Sequence, residues 1–138
     1  MSKTPKKNTP DISFVMTCYN EEEIIGFTVP KLVEAFEKSG YVLELIAVDN
    51  GSTDRTGDLI REMAERYPQV VPHKVEVNEG YGNGLLSGIP LCHAPWVGFI
   101  PADGQIDAED VVSLYETATA SNGRVLVKAR RRFRMDGV

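Results

Sequence analysis

Five short runs of apolar and β-branched residues recur along the chain, each closed by turn chemistry: Ile12 to Met16, Val42 to Val48, Val70 to Val77, Trp96 to Ile100 and Val125 to Val127. Runs of this length, bounded by Gly, Pro, Asn and Asp, predict strands. Between them, apolar positions return at helical spacing. Ile25, Val29, Leu32, Val33 and Phe36 form one stripe, Leu59, Ile60, Met63, Ala64 and Tyr67 a second, and Val111, Val112, Tyr115 and Ala118 a third. Pro30 removes a backbone donor and is expected to kink or restart the first helix. Strand alternating with helix along the whole chain predicts an α/β fold, a Rossmann-like and mostly parallel sheet with helices on both faces. No internal repeat interrupts the alternation, and residues 1–10 read as a flexible basic tail.

An open α/β sheet binds its ligands in the crevice beyond the carboxyl ends of its strands, so the turns after the strands carry the functional information. They read Thr17-Cys18-Tyr19-Asn20-Glu21, Asp49-Asn50-Gly51-Ser52-Thr53-Asp54, Asn78-Glu79-Gly80-Tyr81-Gly82-Asn83-Gly84 and Pro101-Ala102-Asp103-Gly104-Gln105. Asn20, with Glu23 three residues on, has the spacing of a capping box for the first helix. That leaves Tyr19 as a ring able to stack on a flat base and Glu21 as a carboxylate able to accept from ribose hydroxyls. Asp49 and Asn50 are two adjacent acceptors that could read the donor edge of a nucleobase, although a tight turn and a helix cap account for the same residues. Gly80, Gly82 and Gly84 permit close backbone approach and place N–H groups at a helix start, which suits a phosphate. Asp103 lies two residues from the side-chain amide of Gln105 in a Gly-loosened turn, a hard-oxygen arrangement suited to Mg²⁺ or Mn²⁺ carrying a diphosphate. Asp107 reads as the N-cap of the helix that follows, with Asp110 at its third position.

Charge narrows the partners. The 138 residues carry a formal charge of -5, but it is unevenly spread. Residues 1–10 hold three Lys and no acid, and residues 124–138 hold six basic residues and one acid, so residues 11–123 keep six bases against nineteen acids. An acidic body lacks the cationic face with which a general nucleic-acid binder displaces counterions. The strip Arg130, Arg131, Arg132 and Arg134 suits an anionic group or lipid headgroups. Cys18 and Cys92 form no CxxC pair, which argues against a thiolate zinc site and for a reducing compartment. The basic, polar start lacks a signal-peptide core, and no run approaches the roughly 20 apolar residues of a membrane span. A cytoplasmic or peripheral location is expected.

The segments SFVMTCYNEEEII, ELIAVDNGSTDRT, NEGYGNGLLSGI, GFIPADGQIDAEDV and VLVKARRRFRMDG, in this order and spacing, resemble the nucleotide-sugar-binding half of glycosyltransferase family 2, the GT-A fold group that includes dolichyl-phosphate mannose synthase-like and polyprenyl-phosphate sugar transferases. The resemblance runs from about Ile12 to Arg134. It implies that residues 11–138 form a GT-A-like nucleotide-diphospho-sugar-binding domain ending before the acceptor half. By the same resemblance Thr17, Tyr19 and Glu21 contact the nucleoside of a UDP- or GDP-sugar, and Asn50 occupies the place of a base-reading Asp. Asp103 is the second acid of the DxD motif, and Gln105 a further metal ligand. Three positions depart from the family pattern: Pro101 replaces the first acid of DxD, Asn50 the usual Asp, and Thr17 a common Pro. The implied reaction is inverting, metal-dependent sugar transfer to a polyprenyl phosphate or another glycan or lipid acceptor, with the general base supplied by the acceptor half. Two other readings of the same residues differ in class. A nucleotide-sugar-binding domain without transfer activity is compatible with Pro101 and Asn50. A dinucleotide-binding oxidoreductase would use Gly80, Gly82 and Gly84 with Asp103 about 20 residues on, but it leaves Tyr19, Glu21, Asp49 and Asn50 without a role.

Overall fold

In a computed structural model, which describes residues 9–121, strands and helices alternate as β1 (Ile12–Cys18), α1 (Ile25–Ser39), β2 (Leu43–Asn50), α2 (Thr56–Arg66), β3 (Val70–Val75), α3 (Tyr81–Gly88), β4 (Trp96–Pro101) and α4 (Ala108–Ala120). A short 3₁₀ turn, Ile89–Leu91, follows α3. The four strands are parallel and lie in the order β3-β2-β1-β4. The chain therefore steps outward from β1 to β3 and then crosses back over β1 to reach β4. Right-handed crossovers put the helices of the two directions on opposite faces. α1 and α2 share one core with α4, through Ile25, Val29, Phe36, Ile60, Met63 and Val111. α3 covers the other face, where Val15, Ile46 and Val48 meet Leu85 and Leu91.

The central strands are covered from both sides, so β1 and β2 are buried at nearly every position, Ser13, Thr17, Asp49 and Asn50 included, whereas β3 and β4 alternate half-buried with exposed positions and bury one residue each. α1 supplies more of the first core than any other element, through Ile25, Val29, Leu32, Val33, Ala35 and Phe36. Burial of side chains this large contributes about 1.5 to 3 kcal/mol each. Phe36 meets Phe14 edge-on, ring centroids 6.0 Å apart. The helix ends where Gly40 turns left-handed (φ 85°) and its N–H returns to the carbonyls of Phe36 and Glu37.

Several expectations are revised. α1 is one helix through Pro30, not two; the carbonyl that loses its partner belongs to exposed Gly26, where water can replace the bond. β2 runs two residues beyond Val48 and so contains Asp49 and Asn50, while β3 stops at Val75 instead of Val77. The three glycines do lie at a helix start, with Gly80 as its N-cap. Tyr81 opens α3, and Gly82 and Gly84 lie inside. Asn20 does not cap α1, whose N-cap is Ile24 without a side-chain bond. Asp107 is the N-cap of α4 as expected, with the Asp110 N–H returning to its carbonyl at 2.9 Å. The strand expected at Val125–Val127 and the arginines 130–134 lie outside the described residues.

Candidate functional site

The chain reverses direction across the sheet between β1 and β4, which makes their carboxyl ends the topological switch point. Four loops converge on that edge. The first two are stitched together. Asn20, the one non-glycine residue with positive φ (51°) among those described, turns its carbonyl Oδ1 to accept from Thr53 N–H at 2.9 Å, while its own N–H donates to Ser52 Oγ at 3.0 Å. Glu21 N–H donates to Thr56 Oγ1 at 2.8 Å, and fully buried Thr56 passes its own proton to Asp54 at 2.6 Å. Arg55 N–H donates to Glu22 Oε1 at 2.9 Å. Ser52, Thr53, Asp54 and Thr56 thus act as the frame of the loop bearing Tyr19 and Glu21. Sequence spacing carried no sign of this, because the bonds span 32 to 35 residues.

Strand alternation separates two residues expected to act together. Asp49 points to the α2 face, where Oδ1 accepts from Ser52 N–H at 3.0 Å and Oδ2 lies so close to Gly57 that a Cβ there would collide with it. Asn50 points to the α3 face and is 1% exposed. Its Nδ2 donates to Gly80 O at 3.1 Å. Thr17, one strand over, lies on the same face and is also buried. Both crowd Gly84: a Cβ there would stand 2.7 Å from Thr17 Cγ2 and 2.9 Å from Asn50 Nδ2. Thr17 Oγ1 and Asn50 Oδ1 have no hydrogen-bond partner among the described residues. Such atoms cost free energy unless a ligand or water reaches them. Gly82 has open space where its Cβ would be, and Gly80 needs the freedom of glycine at φ 110°.

On the β4 side, Asp103 is exposed and its Oδ1 accepts from Gln105 N–H at 3.1 Å across Gly104, whose φ is 76°. Gln105 is exposed beside it. Burial, then Asp103 and then Asp54 push the Glu21 carboxyl above the usual carboxylate range. Negative charge is therefore gathered at this turn. Pro101 ends β4 opposite Thr17 and brings no carboxylate. Among the described residues no three His, Cys, Asp or Glu groups converge as a metal cage. A cavity of about 260 Å³ lies behind this turn, on the α1–α4 face between Leu32, Ile100, Gly104 and Val111. Thr17 and Asn50 do not line it.

The site thus unites Thr17, Asn50, Gly80 and Gly84 on one face of the sheet, Tyr19, Glu21 and Asp103 at its rim, and sets Asp49 apart as a support for α2. The chain matches the family model described as "Glycosyl transferase family 2" over residues 13–138. It belongs to that family. An uncharacterised glycosyltransferase of Mycobacterium tuberculosis is 36% identical over 121 residues, covering 88% of this chain and 49% of that protein. The undecaprenyl-phosphate 4-deoxy-4-formamido-L-arabinose transferase of Pectobacterium atrosepticum is 32% identical over 130 residues, covering 93% of this chain and 39% of the relative. The chain thus spans half or less of the length of these relatives. The fold is that of GT-A glycosyltransferases: residues 1–349 of S. aureus TarS in complex with UDP superpose with a TM-score of 0.67 at 21% identity, over 81% of this chain and 33% of the other. The Pyrobaculum calidifontis mannosyltransferase PcManGT in complex with GDP-Man and Mn²⁺ does so at 0.64 and 24% identity, over 80% and 34%.

Proposed function

We propose that this chain is the donor-binding part of a glycosyltransferase that moves a sugar from a nucleoside diphosphate to a polyprenyl phosphate. The observation that carries the reading is the pair of unpartnered buried atoms, Thr17 Oγ1 and Asn50 Oδ1, beneath the glycine-bounded start of α3 at the switch point of the sheet. Tyr19, 46% exposed at the rim, is free to stack on the base, and Glu21 is placed to take the ribose hydroxyls. The first turn of α3 offers N–H groups to the diphosphate. Names among the relatives favour a polyprenyl-phosphate acceptor, and the names of two matched structures include UDP and GDP-Man.

Asp103 and Gln105 are hard-oxygen donors, and the charge that Glu21 and Asp103 build up together suits a divalent cation such as Mg²⁺ or Mn²⁺. When bound, it would supply charge neutralisation on the leaving diphosphate. Inversion at the sugar and deprotonation of the acceptor are assigned to the whole protein, of which Arg130, Arg131, Arg132 and Arg134 would meet the acceptor phosphate or an anionic membrane surface. Among the described residues no helix is long and apolar enough to cross a membrane. A location at the cytoplasmic membrane face follows from the acceptor.

Calorimetric titration with UDP and GDP, each with and without Mn²⁺, tests the donor site. One nucleotide should bind in a Mn²⁺-dependent way, Asp103→Asn should remove that dependence without unfolding the protein, and Tyr19→Ala should weaken binding by roughly 1 to 3 kcal/mol. Binding of neither nucleotide would overturn the reading. Pro101, in the place of a metal-binding acid, favours a second reading, nucleotide-sugar binding without transfer. Donor binding without turnover on a polyprenyl phosphate by the whole protein would select it.

A further inference from the structure

We infer that Asn50 is a positioning residue: its carboxamide fixes the first carbonyl of α3 and so holds the backbone amides that would receive the donor diphosphate. The second half of that statement rests on the donor-site reading above; the first does not.

α3 has little of its own to hold it. It has eight residues, Gly82, Gly84 and Gly88 among them, with no side-chain cap and no acid in its first turn. Glycine costs a helix about 1 kcal/mol relative to alanine, and so short a helix is unstable alone. Tertiary contacts must therefore define where it starts. At that start, Gly80 O accepts the first helical bond, from Gly84 N–H at 3.2 Å, and the Asn50 Nδ2 bond at 3.1 Å. Gly80 N–H is held in turn by Asn78 Oδ1 at 2.8 Å. The N-cap peptide is thus gripped from both sides, and the grip from β2 comes from a side chain with no freedom, at 1% exposure.

Chemistry sets the orientation of the amide. Only its NH₂ can face a carbonyl oxygen, so Oδ1 turns away and is left without a partner among the described residues. A carboxylate at this position would set negative charge against Gly80 O with no proton to share. A protonated carboxyl would not: one oxygen donates as Nδ2 does, the other accepts as Oδ1 does. The side chain's neighbours on β1, β3 and α3 (Thr17, Val75, Gly80 and Gly84) do not ionise. The ionisable groups next to these residues in sequence are Asp49, on the opposite face of the sheet, Cys18 beside Thr17, Lys74 and Glu76 beside Val75, and Glu79 and Tyr81, which flank Gly80.

Asn50→Asp and Asn50→Ala, compared with the parent protein from pH 5.5 to 8.5, test the inference. The readouts are amide hydrogen exchange of residues 81–88 without nucleotide and affinity for UDP and GDP, each as a ratio to the parent at the same pH. Asn50→Ala should lose about tenfold in α3 protection and in affinity throughout, while β1 and β2 stay protected and show that the fold survives. Burial and the facing Gly80 O favour the protonated form of the introduced carboxyl, so Asn50→Asp should move towards the parent at the acid end and fall to the level of Asn50→Ala at the alkaline end. Unchanged α3 protection in Asn50→Ala would overturn the inference, as would an Asn50→Asp variant whose α3 stays as protected as the parent's at pH 8.5. If the parent binds neither nucleotide, the donor reading fails and the exchange measurement alone decides the role of Asn50.

Discussion

The two edges of the sheet gather similar side chains and treat them in opposite ways. At the amino edge, Ser13 Oγ donates to Glu44 Oε1 at 2.6 Å and accepts from Ala94 N–H at 3.1 Å, while His93 presents its N–H to Oε1 at 2.8 Å and its Nδ1 to Oε2 at 2.7 Å. Burial pushes the Glu44 carboxyl up, but these bonds outweigh it and hold the group below the usual carboxylate range. At the carboxyl edge, Thr17 Oγ1 and Asn50 Oδ1 go unpartnered among the described residues, and Glu21 is pushed up instead, by burial first and then by Asp103. One hydroxyl–carboxylate cluster is finished by the chain itself. At the carboxyl edge two open acceptors converge on the start of α3, unlike the lone Gln69 Oε1 before β3, and a converging pair left open points to a site where something else completes it.

The largest effect should come from undoing the finished edge. Glu44→Ala leaves the proton of the fully buried Ser13 hydroxyl without its acceptor and releases the exposed His93 N–H to solvent, and should cost about 1 to 3 kcal/mol in urea unfolding. Glu44→Gln keeps one acceptor and should cost less than half of that. The pH dependence has a definite sign. Because the folded carboxyl is lowered, its contribution is present above the unfolded value of about 4.3 and is lost as pH falls through the folded value. The gap between parent and Glu44→Gln should therefore close on acidification below about pH 4. A gap that stays constant through this range would show that the bonds do not favour the ionised carboxylate.

Next in size is a methyl group under α3. Gly84→Ala drives its Cβ against Thr17 Cγ2 and the Asn50 amide, and overpacking of this kind should cost about 1 to 2 kcal/mol. Gly82→Ala meets open space and gains helix propensity, so it should be neutral or stabilising. If both behave alike in thermal melts, α3 does not sit on the sheet through Gly84.

The fold was legible because its period was. The helical stripes of α1, α2 and α4 and the apolar runs of the strands survive nearly residue for residue, since burial on both faces demands them. α3 was legible only as a run of glycines. Its helicity comes from tertiary packing through Gly84 and Gly88, which propensity opposes. The site divided in the same way. Thr17, Asn50 and the glycine loop come together because topology brings strand ends together. Asp49 does not join them, because neighbours on a strand face opposite ways, a rule that applies only once β2 is known to continue through Asn50. The Ser13–Glu44–His93 cluster went unseen because its members lie 31 and 49 residues apart. A signal was available: a carboxylate inside the run VLELIAV has to find partners.

The smallest effect sharpens the contrast most directly, because it asks whether the open edge costs the fold anything. Glu21 has its carboxyl raised by burial first, then by Asp103 and Asp54, so the folded state holds that proton more tightly than the unfolded chain does. For an acid shifted in this direction, the ionised form is disfavoured in the fold: a penalty is present above the folded value and disappears as pH falls below the unfolded one. Glu21→Gln removes the charge while its backbone N–H stays on Thr56 Oγ1. The variant should melt about 1 to 3 °C higher than the parent at pH 7, a small gain because the rim is partly solvated, and the two should converge near pH 4. The same substitution should weaken nucleotide binding. Stability gained and affinity lost at one residue would mark Glu21 as held for a ligand. A variant that melts lower at pH 7 would show that the carboxylate belongs to the fold, as Glu44 does.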